Sequence, residues 1–317
     1  MRDPIKDFRT AIVAMLGHAP DTIEPSRFHR FPTSNRRADD AGWCKLFNDL
    51  RGGVFGCYRQ GISETWSAAE RATMTREQRI ELARRVMEAT TEREAAQRKA
   101  WAGNSQRIAQ VWAQCAPLVR GDAVTQYLKR RGFGGVWPLP AVLRLHRALS
   151  YWHGAEKPGT FPALVVPIVA PDGRTVALHR TYLAADGGKA DVPSPKKLTG
   201  AAGPLAGAFI PLHKPARGVI GIAEGIETAL AAWCASKVPT VASYCAANLA
   251  AWQWPAGVQR LVIFADNDRA GREAADTLQS RAVRAGLQSS VMTPTDVGAD
   301  WLDVWAARGA AAVEGAA

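Results

Sequence analysis

The sequence predicts an α+β multidomain chain: a small β-rich N-terminal domain, a basic α+β subdomain, and a C-terminal α/β domain built on a parallel sheet. Three observations predict it. From Gly218 onward, continuous apolar runs alternate with helical patterns, as in a parallel sheet covered on both faces. In about the first seventy residues, short runs alternate large and polar side chains between Gly, Asn and Asp, the pattern of a small antiparallel sheet. Charge divides along the chain as well. From Arg217 to the end there are 8 Lys plus Arg against 10 Asp plus Glu, a balance of −2, so the preceding part carries +13 within a formal total of +11.

Residues 1–72 open with the helical pattern FRTAIVAMLG and continue through the strand-like pieces FHRFP, GWCKLF, GGVFGCYR and ETW. Residues 73–117 read as a helical linker. Thr75 stands where an N-cap belongs, and few breakers follow before Gly103 and Pro117. Its surface of Arg, Gln and Glu is that of a solvated helix, and its arginines could also neutralise a nucleic-acid backbone. Residues 118–216 form the basic subdomain. YLKRRGF ends a helix, ALVVPIVA and TVALHRTYLA pair across the turn PDGR, and DGGKADVPSPKKLTG is a loop, either a connector or a phosphate contact. Residues 217–317 run strand GVIGIAEG, helix IETALAAWCAS, strand PTVASYC, helix NLAAWQW, strand RLVIFADND, helix AGREAADTLQSRAVRAG, strand QSSVMTP and helix DWLDVWAARG.

With 47% apolar and 22% charged residues among 317, the chain has the material for two or three folded domains rather than disorder. MRDPIKDF lacks an apolar core, and the longest apolar stretch, GVIGIAEGIETALAAWC, is interrupted by Glu224 and Glu227. The expectation is a cytoplasmic protein with no membrane partner. The five cysteines, Cys44, Cys57, Cys115, Cys234 and Cys245, form no CxxC pair, so no zinc is expected, although Cys44, Cys57 and His29 could make one mononuclear site. Of the 11 tryptophans, Trp112, Trp252 and Trp254 lie on helical patterns and read as core; Trp43 and Trp66 read either as core or as platforms for unpaired bases.

Ligands of open α/β sheets collect beyond the carboxyl ends of the strands. Glu224 closes the first strand of the C-terminal domain, and Asp266 and Asp268 close the third. Alternation along an extended chain points the two aspartates to one side and Asn267 to the other. Asp and Asn also end strands and cap helices, so Asp268 could cap the following helix and Asp266 could be a turn residue. Glu224 tips the reading toward a site, because three carboxylates brought together without basic partners repel one another unless cations neutralise them. Hard oxygen ligands of this kind favour Mg²⁺ or Mn²⁺. GADWLD adds Asp300 and Asp303, of which Asp303 reads more readily as an exposed helical acid.

EGIETALA, LVIFADNDRAG and GADWLD together resemble the Toprim domain shared by bacterial primases, topoisomerases and some nucleases, over roughly the last hundred residues. The extended forms EGIETALAA and FADND, with PALVVPIVAPDGRTVALHRTYLAADGGKA and PKKLTG upstream, are closer to the Toprim primases of plasmids, phages and integrative elements. FHRFPTSNRRADDAGW and ETW resemble the small domain that opens conjugative primases. The resemblance implies Glu224 as general acid/base or metal ligand, Asp266 and Asp268 as metal ligands, and Asp300, with Asp303, at a second metal. Bacterial replicative primases have two acids separated there by one residue, whereas here two residues separate Asp300 from Asp303. It also implies that the upstream basic subdomain binds template and nucleoside triphosphate, with Arg180, Lys189, Lys196 and Lys197 as contacts.

The activity so implied is a DNA primase, a nucleotidyltransferase making short RNA primers from ribonucleoside triphosphates on a single-stranded DNA template by two-metal chemistry. The alternatives are a metal-dependent nuclease on the same carboxylates and a non-catalytic single-strand-binding accessory. No GxxxxGK[ST] loop is present, so unwinding is expected from a helicase or replication initiator acting in trans.

Overall fold

Asp3 starts the first helix, α1 (Pro4–Leu16): its Oδ1 accepts from the Ile5 amide at 3.0 Å, and proline in the first turn has no amide to satisfy. The computed structural model describes residues 3–34, 40–58, 60–69 and 73–314, so positions 35–39 of FHRFPTSNRRADDAGW lie outside the described residues. The chain resolves into two units, Met1–Lys99 and Ala100–Ala317. In the first, Phe8, Ile12 and Leu16 of α1 recur every four residues and bury one stripe against a four-stranded antiparallel sheet, β1 (His29–Phe31), β2 (Gly42–Leu46), β3 (Gly52–Cys57) and β4 (Ile62–Ser67), in that spatial order.

This sheet removes two readings of the sequence. Trp43 is only 2% exposed and carries the Arg93 guanidinium over its ring at 4.4 Å, while Trp66 packs against Phe8 with ring centroids 5.3 Å apart. Both belong to the packing of the unit. Cys44 and Cys57 are buried in its core, burial pushes the Cys44 thiol up to about 12, and the His29 ring is engaged by the Glu24 backbone.

The helix α2 (Arg76–Ala113) opens with a reciprocal cap: Thr75 Oγ1 accepts from the Gln78 amide at 3.2 Å, and Gln78 Oε1 accepts from the Thr75 amide at 2.9 Å. It runs unbroken through Gly103. A glycine inside a helix costs about 1 kcal/mol relative to alanine, too little to end a helix whose Leu82, Val86 and Ala89 pack in the first unit and whose Ile108 and Trp112 pack in the second.

In the second unit, β5 (Ala116–Pro117) is followed by α3 (Ala123–Leu128), which Asp122 caps through the Thr125 amide at 2.7 Å. A π-turn over Lys129–Phe133 ends it, reversing at Gly132 with φ 88°. Next come β6 (Arg144–His153), β7 (Glu156–Val169), β8 (Thr175–Tyr182) and β9 (Lys196–Leu198), completing a five-stranded antiparallel sheet ordered β5-β6-β7-β8-β9. The strand β6 went unread because arginines and histidines interrupt its apolar positions. PKKLTG is not a free loop: Lys196–Leu198 pairs with β8, with Arg180 opposite Lys197 and Thr181 opposite Lys196.

The C-terminal pattern folds as read, through β10 (Val219–Ala223), α4 (Ile226–Ser236), β11 (Thr240–Ala242), α5 (Ala246–Ala251), β12 (Arg260–Phe264), α6 (Arg269–Arg284), β13 (Gln288–Met292) and α7 (Trp301–Glu314). All four strands are parallel, in the order β11-β10-β12-β13. Ile220, Ile222, Leu261 and Ile263 face one core, while Ala223, Val262 and Phe264 face the other, so both surfaces of the sheet are covered. The second of these cores is shared with Leu164, Val166 and Ile168 of β7. No helix among the described residues is long and apolar enough to cross a membrane.

Candidate active site

The connection from β10 goes one way to β11, and the chain then crosses back to β12 on the other side, so strand order switches between β10 and β12. Glu224 directly follows β10, and Asp266 lies two residues beyond β12. Both therefore stand at the place where this architecture leaves a crevice. Asp266 and Asp268 are not on the strand itself, which ends at Phe264, so alternation does not orient them; the turn into α6 does. Asp268 is the N-cap of α6, its Oδ1 accepting from the Gly271 amide at 2.7 Å. A Cβ on Gly271 would lie 2.6 Å from the Asp266 carbonyl oxygen, so the turn requires glycine there.

Asn267 does point away, and it has work of its own. Its side-chain amide donates to the carbonyls of Pro294 and Asp296, each at 3.0 Å, and its oxygen accepts from Arg272 Nη1 at 2.7 Å. With the Asn267 amide bonded to the Ala299 carbonyl, the segment after β13 is pinned to this turn, bringing Asp300 to the crevice. Asp300 and Asp303 form a reciprocal cap of α7: Asp300 Oδ1 accepts from the Leu302 and Asp303 amides, and Asp303 Oδ2 accepts from the Asp300 amide at 3.0 Å.

What distinguishes Asp266 is the absence of any such partner. Its Oδ1 is buried without a hydrogen bond, and its carboxyl is pushed up to about 7, first by burial and then by the charges of Glu224, Asp300, Asp268 and Asp303. The Glu224 carboxyl is raised too, by burial and by Asp268. All five acids read from the sequence thus share one electrostatic neighbourhood. Among the described residues, no group of three or more His, Cys, Asp or Glu side chains is set to hold a metal ion. The three-carboxylate ligand group expected of Glu224, Asp266 and Asp268 is therefore not formed among the described residues; a Mg²⁺ ion needs only one or two carboxylates, with water and substrate phosphate completing its shell. The orphaned Asp266 oxygen beside Glu224 fits such an ion.

Of these acids, Glu224, Asp266 and Asp300 line a cleft of about 280 Å³, together with the side chains of Arg131, Lys196 and His179. Glu227, in the first turn of α4, lies in the same cleft and went unassigned in the sequence. Its side chain is 5% exposed, accepting from Tyr127 Oη at 2.5 Å and from Lys196 Nζ at 3.1 Å. Burial alone would raise this carboxyl; Lys196 and Tyr127 outweigh it and hold the group at about 2. His179 is buried and lowered to about 4, chiefly by desolvation and then by Lys196, so it stays neutral. Lys189 is lowered by burial, then by the neighbouring charge of Lys196.

The four basic candidates consequently separate. Lys196 and Lys189 belong to the cleft neighbourhood. Arg180 is half-buried on the other face of β8, donating to the Tyr182 hydroxyl at 3.2 Å and to the Leu198 carbonyl, and Lys197 donates to the Trp152 carbonyl with its ammonium 4.4 Å from the centre of the Tyr151 ring. Strand alternation was the available signal: the neighbours of Arg180 and Lys197 that face the cleft are His179 and Lys196. For Glu227 the signal was a lone charge within the otherwise apolar IETALAAWC, which a buried site tolerates only with a partner.

Residues 102–209 match a family model described as Domain of unknown function (DUF7146), and residues 219–311 match the model described as Toprim domain. The C-terminal parallel sheet is accordingly a Toprim domain. No curated protein matches the sequence. Among solved structures, the chain is similar to a DNA primase domain from Pseudomonas aeruginosa (15% identity, TM-score 0.34, covering 53% of this chain and 54% of that one). It is also similar to the E. coli primase catalytic core (15% identity, TM-score 0.39, 69% and 78%) and to the primase fragment of the bacteriophage T7 primase-helicase protein (14% identity, TM-score 0.37, 91% and 98%). The chain thus spans about half the length of the first of these.

Proposed function

We propose that this Toprim-bearing chain is a DNA primase that joins ribonucleoside triphosphates into short RNA primers on single-stranded DNA, of the kind carried by plasmids, phages and integrative elements. The observation that carries the reading is the mixed lining of the cleft: Glu224, Asp266 and Asp300 at the switch point of the parallel sheet, with an orphaned Asp266 oxygen, share it with the cations Arg131 and Lys196. A triphosphate has the charge to satisfy both sets of groups, because its oxygens complete the shell of a cation held by the carboxylates and also meet ammonium and guanidinium groups.

Glu224 and Asp266 would hold one divalent cation, Mg²⁺ or Mn²⁺, and the second oxygens of Asp268 and Asp300 a further one, with Asp303 supporting Asp300 through their shared cap. Bound there, the ions supply Lewis acidity at the α-phosphate and neutralise pyrophosphate. The chain's own groups do the rest. Lys196, Lys189 and Arg131 orient the β- and γ-phosphates. The primer 3′-oxygen bonds to the α-phosphorus as the bond to the pyrophosphate oxygen breaks. Where Asp266 holds the first ion without Glu224, Glu224 is instead the base that takes the hydroxyl proton. Template contact falls to the basic residues before Arg217, and a helicase or initiator in trans supplies the single strand.

The test is incubation with single-stranded DNA, labelled ribonucleoside triphosphates and Mg²⁺. Polymer appearing in a template-dependent manner is the expected result. DNA cut without polymer would instead identify a nuclease using the same carboxylates, and DNA retention unaltered by Asp266→Ala, with neither product, would identify a binding accessory.

A further inference from the structure

We infer that Glu227 is a positioning residue that sets the Lys196 ammonium at the mouth of the cleft as a phosphate-binding cation, locking the basic sheet in register with the Toprim carboxylates. The inference rests on the primase reading for the identity of the phosphate and on geometry for the rest. Lys196 comes from β9, Tyr127 from α3 and Glu227 from α4, so one buried carboxylate ties together three elements, two from the region before the Toprim domain and one within it. The pair is unequally covered: the Glu227 side chain is 5% exposed and the Lys196 side chain 41%. An ion pair that served packing alone has no need to leave its cation open to the cleft.

Lys196 also has reason to leave. Lys189, lowered first by burial, is lowered further by the charges of Lys196 and Arg131, so the three cations lie near one another, and the neighbouring His179 is neutral and offers no counter-charge. Among the described residues, the one anion within hydrogen-bond reach of Lys196 is Glu227, which Tyr127 fixes from its other oxygen. A flexible four-carbon side chain without that anchor would swing to solvent, away from its cationic neighbours.

The sign of one substitution decides the matter. Counting charges alone, Glu227→Gln removes a negative group beside a triphosphate site and should tighten binding. If Glu227 positions Lys196, the same change should weaken it. The experiment is calorimetric titration of the full chain with ATP and Mg²⁺. We expect Glu227→Gln and Lys196→Met each to weaken ATP binding about tenfold, with the double variant losing less than about twofold more, because the two act as one unit. Tighter or unchanged binding in Glu227→Gln, or losses that multiply in the double variant, overturns the inference.

Should Glu227→Gln fail to fold, acylation of the unaltered protein followed by peptide mass spectrometry reads the same point. ATP should slow labelling of Lys196 at least about fivefold and leave Lys197, on the other face, unchanged; equal labelling of Lys196 with and without ATP overturns it. If the unaltered chain makes primers while Glu227→Gln binds ATP more tightly, only this inference falls. If the unaltered chain binds no triphosphate and makes no polymer, the primase reading falls with it.

Discussion

Glu224 and Glu227 lie three residues apart on one strand-to-helix turn, yet the first carboxyl is raised by burial and by Asp268, and the second is held at about 2 by Lys196 and Tyr127. The contrast extends to their surroundings. On the floor of the cleft, Asp266 keeps a buried oxygen unpaired among four like charges; on the wall, the available anion is fully engaged. An unpaired buried carboxylate costs stability, so a fold that retains one must gain from it elsewhere. A paired one, by contrast, fixes geometry and does no chemistry of its own. On the proposed function, the two halves of the crevice divide labour between reaction and placement.

Removing the Asp266 charge should break this comparison most visibly. Asp266→Asn is expected to lower primer synthesis by at least about a thousandfold, since the orphaned oxygen is the group with no other role. It should also raise the thermal midpoint at pH 8 by roughly 2–4 °C, the shift that about 1 kcal/mol produces in a unit of this size. Activity surviving the change, or a midpoint that falls, would mean that Asp266 is an ordinary turn residue. Calorimetry and the primer assay on one preparation measure both.

The next effect is carried by protons. The Asp266 carboxyl sits at about 7 in the folded protein against 3.8 ordinarily, so between those values the folded chain holds a proton that the unfolded chain has released. Its contribution to stability is complete below about 4 and is lost as pH rises through 7. The thermal midpoint should therefore decline by a few degrees from pH 5 to pH 8, a decline absent in Asp266→Asn. Mg²⁺ should restore it at pH 8 and do little at pH 5, because a protonated carboxyl does not bind the ion. A midpoint that rises with pH, or Mg²⁺ that acts equally at both, contradicts the assignment.

A smaller effect separates capping from ligation at Asp268. Asparagine caps a helix about as well as aspartate, so Asp268→Asn should leave the midpoint within a degree or so while reducing primer synthesis about tenfold. Asp268→Ala should add a loss of about 1 kcal/mol in stability. Activity that is unchanged in the asparagine variant would confine Asp268 to its cap.

The parallel sheet was legible because buried strands are continuous apolar runs and helices interleave them with a different period. The acids were legible because the ends of such strands are where the architecture leaves room, as Glu224 and Asp266 illustrate. Three features were not. The direction of Asp266 and Asp268 is set by a turn beyond the strand, not by strand alternation. The roles of Asn267 and Glu227 depend on partners 27 to 100 residues away in the chain, Pro294 and Tyr127, and no local pattern announces them. The division among Arg180, Lys189, Lys196 and Lys197 required knowing that Lys196–Leu198 is a strand and which face of it meets the cleft.

That division gives the smallest expected change and the sharpest contrast with Lys196. Arg180 was attractive in the sequence because a guanidinium forks onto phosphate, but its Nη1 and Nη2 donate to the Tyr182 hydroxyl and the Leu198 carbonyl, its buried Nε has no hydrogen-bond partner among the described residues, and burial lowers its pKa. Arg180→Lys keeps the charge and shortens the reach. It should cost about 1–3 kcal/mol of stability, as expected when buried acceptors lose their donors, and leave the KM for ribonucleoside triphosphate within about twofold. Lys196→Met should do the reverse, weakening nucleotide binding about tenfold. A KM raised by Arg180→Lys would mean that the arginine turns out of the sheet to meet substrate, and the opposition drawn between the two faces of β8 and β9 would fail. The two variants measured side by side, by unfolding and by nucleotide titration, make that opposition a crossed comparison in which each residue is the control for the other.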